Sequence, residues 1–173
     1  MNKHQIGDQL KYHHRMFLHY LSDLGEYAFE QRMNGKWSAG QHLDHIRRSI
    51  FPVVIAFLLP KLLLRLSFGQ SGRSSRSYEK LVADYRQKLN QGAKSPGLFL
   101  PTRMKIKGRK RLARQVVHMI DWLISFLESY SEEELDQYLL PHPLLGKLTL
   151  REMLCFTIYH VQHHYLNTRS NIG

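Results

Sequence analysis

The stretch Trp37-Ser38-Ala39-Gly40-Gln41-His42-Leu43-Asp44-His45-Ile46, running on through Ile50-Phe51-Pro52-Val53-Val54-Ile55-Ala56-Phe57-Leu58-Leu59-Pro60, decides the fold. Ser38 and Gln41 stand in the S-x-x-Q spacing of a capping box, where each side chain satisfies the other residue's backbone N–H, so a helix starts at about Ala39. Leu43, Ile46, Ile50 and Val53 then recur at helical spacing and form one apolar stripe. The run falls well short of the roughly 20 apolar residues of a membrane-spanning helix. Pro52 and Pro60 should bend or divide it. It reads as a core helix whose apolar end, Ile50 to Leu64, exceeds what a bundle can bury, so contact with a second copy in a homodimer is expected.

The same signals mark helices on either side. From about His4 to Met33, Ile6, Leu10, Phe17, Leu21, Leu24 and Phe29 recur at mostly helical spacings, and Asn34-Gly35 reads as a stop. From about Arg111, Leu112, Val116, Met119, Ile120, Leu123 and Leu127 make an apolar face. Ser131 and Glu134 form a second capping box for a short helix through Leu139, broken by Pro141-His142-Pro143. Thr149 and Glu152 form a third, opening a last helix to about Asn167. No strand pair is evident. Four principal helices imply an all-α fold, a four-helix bundle in a single domain over residues 1–173. An irregular basic insertion, about 67–110, separates helices two and three, with room for a short helix around Tyr78 to Leu89.

Charge is concentrated in one place. The chain of 173 residues has 25 Lys+Arg, 14 Asp+Glu and a formal net charge of +11. Residues 61–115 hold 15 of the basic side chains against only Glu79 and Asp84, a local balance of +13. The segment carries no zinc-finger, helix-turn-helix or RNP pattern, so a nucleic-acid partner is not expected, and neither is a membrane. A solvated face that steers small anions remains. The single cysteine, Cys155, excludes an internal disulfide framework and a multi-cysteine zinc site. Its apolar surroundings suggest inert packing. The N-terminal MNKHQIGDQL has no apolar signal-peptide core, so a cytoplasmic protein is expected.

Eleven histidines are the second compositional oddity. The densest group is His160-Val161-Gln162-His163-His164 on the last helix. Residues four apart share a face, so His160 and His164 can reach one metal ion, with His160 and His163 as the alternative pair. On the helical wheel His164 borders the apolar stripe and His163 lies furthest from it. A third ligand must come from elsewhere: His42 or His45 on the second helix, or the less constrained His13, His14, His19, His118 and His142. Periodicity alone favours His42 over His45.

The ordered set of Trp37-Ser38-Ala39-Gly40-Gln41-His42-Leu43-Asp44-His45, His142-Pro143-Leu144-Leu145-Gly146-Lys147-Leu148-Thr149 and His160-Val161-Gln162-His163-His164 resembles the DinB/YfiT-like superfamily. The resemblance spans roughly Gln5 to Asn167. It implies a four-helix bundle with a three-histidine metal centre, one ligand from the second helix and an H-x-x-x-H pair from the last. The second-helix ligand, eight residues after the tryptophan, falls on His45 rather than His42, and the pair falls on His160 and His164. The resemblance outweighs the wheel, whose phase is unreliable beside two prolines. His42, Asp44, His163, Trp37 and Tyr159 then become pocket or supporting residues. Beyond any such role, the eight histidines outside the triad are expected at the surface.

Three neutral imidazoles leave an ion with an open position, as in catalytic rather than closed sites. The resemblance implies nickel or zinc, with manganese or iron as alternatives, and a thiol-dependent S-transferase or a hydrolase. A small-molecule substrate is expected, with a low-molecular-weight thiol such as bacillithiol, mycothiol or glutathione as partner. The rival is a non-catalytic bundle that binds nucleic acid or anionic membrane through its basic segment. Asp121, Tyr12 and Tyr165 have solvated or packing roles as their simplest reading.

Overall fold

Each capping box in the sequence starts a helix. The computed structural model describes residues 1–33 and 35–172. The Gln41 N–H donates to Ser38 Oγ and the Ser38 N–H to Gln41 Oε1, opening the long helix Ala39–Leu58. Ser131 with Glu134 opens Glu132–Gln137, and Thr149 with Glu152 opens Leu150–Ile172. A fourth box, Asn2 with Gln5, opens the first helix Lys3–Ser22. In chain order the helices are α1 (Lys3–Ser22), α2 (Glu26–Glu30), α3 (Ala39–Leu58), α4 (Lys61–Phe68), α5 (Tyr78–Asn90), α6 (Arg109–Leu127), α7 (Glu132–Gln137) and α8 (Leu150–Ile172).

The bundle is all-α in character. It is closed by α1, α3, α6 and α8, where α1 packs on α6 and α8 and α3 packs on the same two. The predicted apolar faces supply the core: Ile6, Leu10, Phe17 and Leu21 from α1, Leu43, Ile46 and Ile50 from α3, and Leu112, Val116 and Leu123 from α6 are all buried. Leu150, Leu154, Ile158 and Val161 add the α8 wall. Gly40 is required by close approach, because a Cβ there would come within 2.9 Å of Phe29 and 3.0 Å of Met104. The bend expected at the prolines falls only at Pro60, where α3 and α4 meet at 114°. Exposed Pro52 lies inside α3 without ending it. No single helix among the described residues is long and apolar enough to cross a membrane. Phe51, Ile55, Leu58, Leu62 and Leu66 remain exposed along the α3–α4 edge.

Two expectations of local structure need correction. The first helix does not reach Met33; it ends at Ser22, and α2 follows after Gly25. Of the Asn34-Gly35 stop signal, Asn34 lies outside the described residues and Gly35 has φ +73°. A strand pair does exist: β1 (Leu139–His142) and β2 (Gly146–Thr149) form a hairpin in which His142 pairs with Gly146. Gly146 has φ +73°, a conformation glycine adopts without steric cost.

The basic insertion is not irregular throughout. α5 occupies its middle and packs on α8, where the Gln162 amide donates to the Tyr78 hydroxyl and the Arg86 guanidinium to the Tyr159 hydroxyl. Part of the charge of residues 61–115 is paired within the chain. Lys61 pairs with Glu134, Lys80 with Asp84, and Lys105 with Glu30. Arg109 donates to the carbonyls of Leu21, in the last turn of α1, and Leu24, just beyond it, where a cation meets the negative end of the helix dipole. Arg73 and Arg76 both reach Glu152 at the N-terminus of α8, whose side chain is fully buried.

Candidate metal centre

α3 and α8 pack side by side in the bundle, and this brings together histidines 115 to 122 residues apart in sequence. His45, His160 and His164 are all buried, and one nitrogen of each lies within 4.8 Å of the others. Nε2 of His160 is 3.2 Å from Nε2 of His45 and 3.0 Å from Nε2 of His164. The i,i+4 spacing on α8 accounts for the second distance; the first exists only because α3 presents His45 to the same point.

The opposite edges of the rings explain their orientation. A carbonyl only accepts, so at 2.7 Å Nδ1–H of His45 donates to the Phe99 carbonyl, leaving Nε2 with a free lone pair. His164 meets Nδ1 of His42 through its own Nδ1, at 2.7 Å. Burial holds all three imidazoles below the usual histidine range, and the neighbouring rings push His160 and His164 further down. They are therefore neutral at pH 7. Converging neutral nitrogens, two of them steered by acceptors on their far sides, form the donor set of a divalent cation. The residues present fit such an ion.

His42 is buried and belongs to the surroundings of the triad, with burial driving its pKa down to about 3. Trp37 covers the cluster. Its ring lies 4.9 Å from His45 and stacks nearly parallel to His164 at 6.0 Å. His163 sits outside the triad, half-buried, and contacts Asn167. Tyr159 receives the Arg86 guanidinium and packs at 6.1 Å from His163, away from the three nitrogens.

Asp44 does not touch a ligand imidazole. It is buried, pairs with Arg47 at 2.9 Å and Arg48 at 2.8 Å, and accepts the Thr102 N–H at 3.0 Å. Burial alone would raise its carboxyl, but the Thr102 N–H and the two guanidiniums hold it below the usual range. Its effect on the site is indirect, because the Phe99–Thr102 strap it anchors also carries the carbonyl that orients His45. Asp121 and Tyr12 are exposed and remote from this function.

Two cavities flank the triad. One, about 490 Å³, lies between α3, α8 and the hairpin, with Ile50, Val53, Phe99, Leu140 and Phe156 among its mostly apolar walls and His45 and His160 at one side. The other, about 420 Å³, is more polar and open, bordered by Lys36, Trp37, His42, His163, His164 and Asn167. His45 reaches both.

Two buried histidines on the apolar cavity contradict the expected surface placement: His14 and His142. For His14 the signal was present, since Leu10, His14, Phe17 and Leu21 follow one helical stripe. For His142 it was not, because the hairpin that buries it has no apolar period. His142 Nδ1 accepts the backbone N–H groups of Leu144 and Leu145.

Residues 9–167 match the family model described as the DinB superfamily. No curated protein and no solved structure matches the chain.

Proposed function

The chain belongs to the DinB superfamily, and from that premise we propose that it is a metal-dependent enzyme whose His45, His160 and His164 hold a divalent ion beside a substrate cavity. The reaction is thiol-dependent S-transfer, with nickel or zinc as the ion. The observation that carries the reading is the meeting of three buried, neutral imidazole nitrogens between α3 and α8. Without a cation or a shared proton, such a meeting sets lone pairs against one another in a low-dielectric interior.

When bound, the ion supplies the Lewis acidity that lets a thiol or water lose its proton near neutral pH. The chain's own residues do the rest. The Phe99 carbonyl and His42 hold the rings of His45 and His164 in place. Trp37 shields one side of the cluster. The apolar walls around Phe156 and Val53 take up an apolar acceptor and exclude water from it. Lys36, on the polar side, is placed to meet an anionic group of a thiol cosubstrate.

Metal analysis of the purified parent and of His45→Ala, His160→Ala and His164→Ala tests the site. Each single change should abolish stoichiometric binding; retention in all three variants excludes the triad. Consumption of bacillithiol, mycothiol or glutathione with a panel of electrophiles then tests the reaction. Metal retention without thiol turnover leaves hydrolysis as the chemistry. The pairing of Lys61, Arg73, Arg76, Lys80, Lys105 and Arg109 with carboxylates or carbonyls of the chain itself counts against the rival, a basic binding module.

A further inference from the structure

Among the described residues, two buried side-chain polar atoms have no hydrogen-bond partner: Nε2 of His14 and Nε2 of His42. His42 lines the polar cavity and is tied to the triad through its other nitrogen. His14 belongs to no part of the proposed metal centre. It comes from α1, is 2% exposed, and forms part of the wall of the apolar cavity.

The tautomer of His14 follows from its one contact. Nδ1 lies 2.8 Å from the Leu10 carbonyl, which can only accept, so Nδ1 carries the proton. Burial depresses the ring's pKa to about 4, so it is neutral at pH 7. Nε2 is therefore a bare acceptor with no donor to meet. A buried polar atom left in this state is destabilising, and native interiors rarely keep one without use. A leucine on the same stripe would remove the penalty, so the histidine has a function that offsets it.

The surroundings narrow what that function is. The cavity walls are mostly apolar, with Ile50, Val53, Met153 and Phe156 among them. The hydroxyl of Thr157 donates to the Met153 carbonyl, and that of Ser49 to the His45 carbonyl, so neither is a free donor for His14. No group of the described residues, the Tyr85 and Ser95 hydroxyls on the same cavity included, hydrogen-bonds to Nε2, so a partner comes from outside the chain.

We propose that His14 is the recognition residue of this cavity. Its Nε2 accepts a hydrogen bond from a hydroxyl or N–H carried by an otherwise apolar ligand bound next to the triad. The substrate class that follows is an uncharged aliphatic or aromatic molecule with one donor group, small enough for about 490 Å³. A site built around an unpaired acceptor discriminates against an analogue lacking the donor, because that analogue leaves the acceptor buried and unsatisfied. The identification of this ligand as the substrate rests on the metal-enzyme reading above; the cavity's preference for a donor does not.

Two isomeric probes test the preference, 4-ethylphenol, which carries an O–H, and 4-methylanisole, which does not. Calorimetric binding is measured on the full-length protein, both metal-loaded and metal-depleted. The parent should prefer 4-ethylphenol by about tenfold in both forms, the scale of one well-made hydrogen bond. In His14→Phe, and in the smaller His14→Leu should the phenyl ring overfill the space, 4-methylanisole should still bind and the preference should vanish. Metal content in both variants should equal that of the parent. Equal affinity of the two probes for the parent, no binding of either, or a preference that survives both substitutions overturns the proposal. A preference present in the metal-depleted form, with no metal taken up by the parent, would leave the role of His14 intact and remove the metal-enzyme reading instead.

Discussion

Nδ1 of His42 lies 2.7 Å from Nδ1 of His164, on the face of that ring turned away from the other two triad nitrogens. When His164 gives its Nε2 lone pair to a cation, its proton resides on Nδ1 and is donated to His42. His42 therefore fixes the tautomer and rotation of a metal-binding ring, as acceptors behind such ligands commonly do. Replacement by an apolar residue, His42→Leu, should lower metal affinity by about 10- to 100-fold. The thermal midpoint of the metal-free protein should not fall, since an unpaired buried nitrogen is removed with the ring. A chelator-competition titration and a melting curve read the two effects separately.

The Asp44 carboxylate anchors the strap that orients His45. Asp44→Ala frees Arg47, Arg48 and the Thr102 N–H, and should destabilise the fold by about 1–3 kcal/mol, the range for leaving buried polar groups unsatisfied. Because the Phe99 carbonyl moves with the strap, metal affinity should fall as well, although Asp44 touches no ligand. Unchanged affinity would show that His45 is held by packing against Trp37 alone.

Stability of the metal-free protein should depend on pH in two successive windows. Burial lowers His14 and His142 from 6.5 to about 4, so between those values the unfolded chain binds protons that the native chain refuses. Stability is therefore greatest above pH 6.5 and declines as pH falls toward 4, each ring contributing at most about 1.4 kcal/mol per pH unit. Urea titrations of the parent and of His14→Leu, compared between pH 7 and pH 4.5, should show a shallower decline in the variant.

Glu152 governs the lower window. Burial alone would push its carboxyl up, but Arg73, Arg76 and the backbone N–H groups of Arg76 and Thr149 hold it at about 2, against an ordinary 4.5. The stabilisation is complete above pH 4.5 and lost as pH falls through about 2. Glu152→Gln should cost about 2–3 kcal/mol at pH 7, less than a wholly buried pair because Arg73 is partly exposed, and should flatten the acid limb of the stability curve.

Cys155 should be silent. Burial pushes its thiol up to about 11, so no useful thiolate exists at pH 7. Native protein should resist iodoacetamide until unfolded, and Cys155→Ala should retain metal binding and any thiol turnover. Loss of turnover alone would bring this sulfur into the reaction.

Much of this molecule is local in origin and was legible as such. Ser38 with Gln41, Ser131 with Glu134 and Thr149 with Glu152 each start a helix because the groups that satisfy one another are three residues apart, a distance set by the helix itself. The apolar faces of α1, α3, α6 and α8 follow from the same period, and the His160/His164 pair from its four-residue repeat. The hairpin around His142 escaped because Pro141, Pro143 and Gly146 look like punctuation until β1 and β2 pair. The break at Asp23–Gly25 escaped because the apolar spacing continues through it.

By itself, then, the sequence determined the helices, their caps, the family resemblance and the pair of histidines on α8. Only the tertiary structure decided that His45 meets that pair while His42 stands behind His164, that Asp44 works through a strap, and that His14 sits buried with an unanswered nitrogen. The physical reason is range. Spacing along one helix is fixed by 1.5 Å and about 100° per residue. The distance between side chains on α3 and α8, or on α1 and the cavity wall, depends on how the whole core packs.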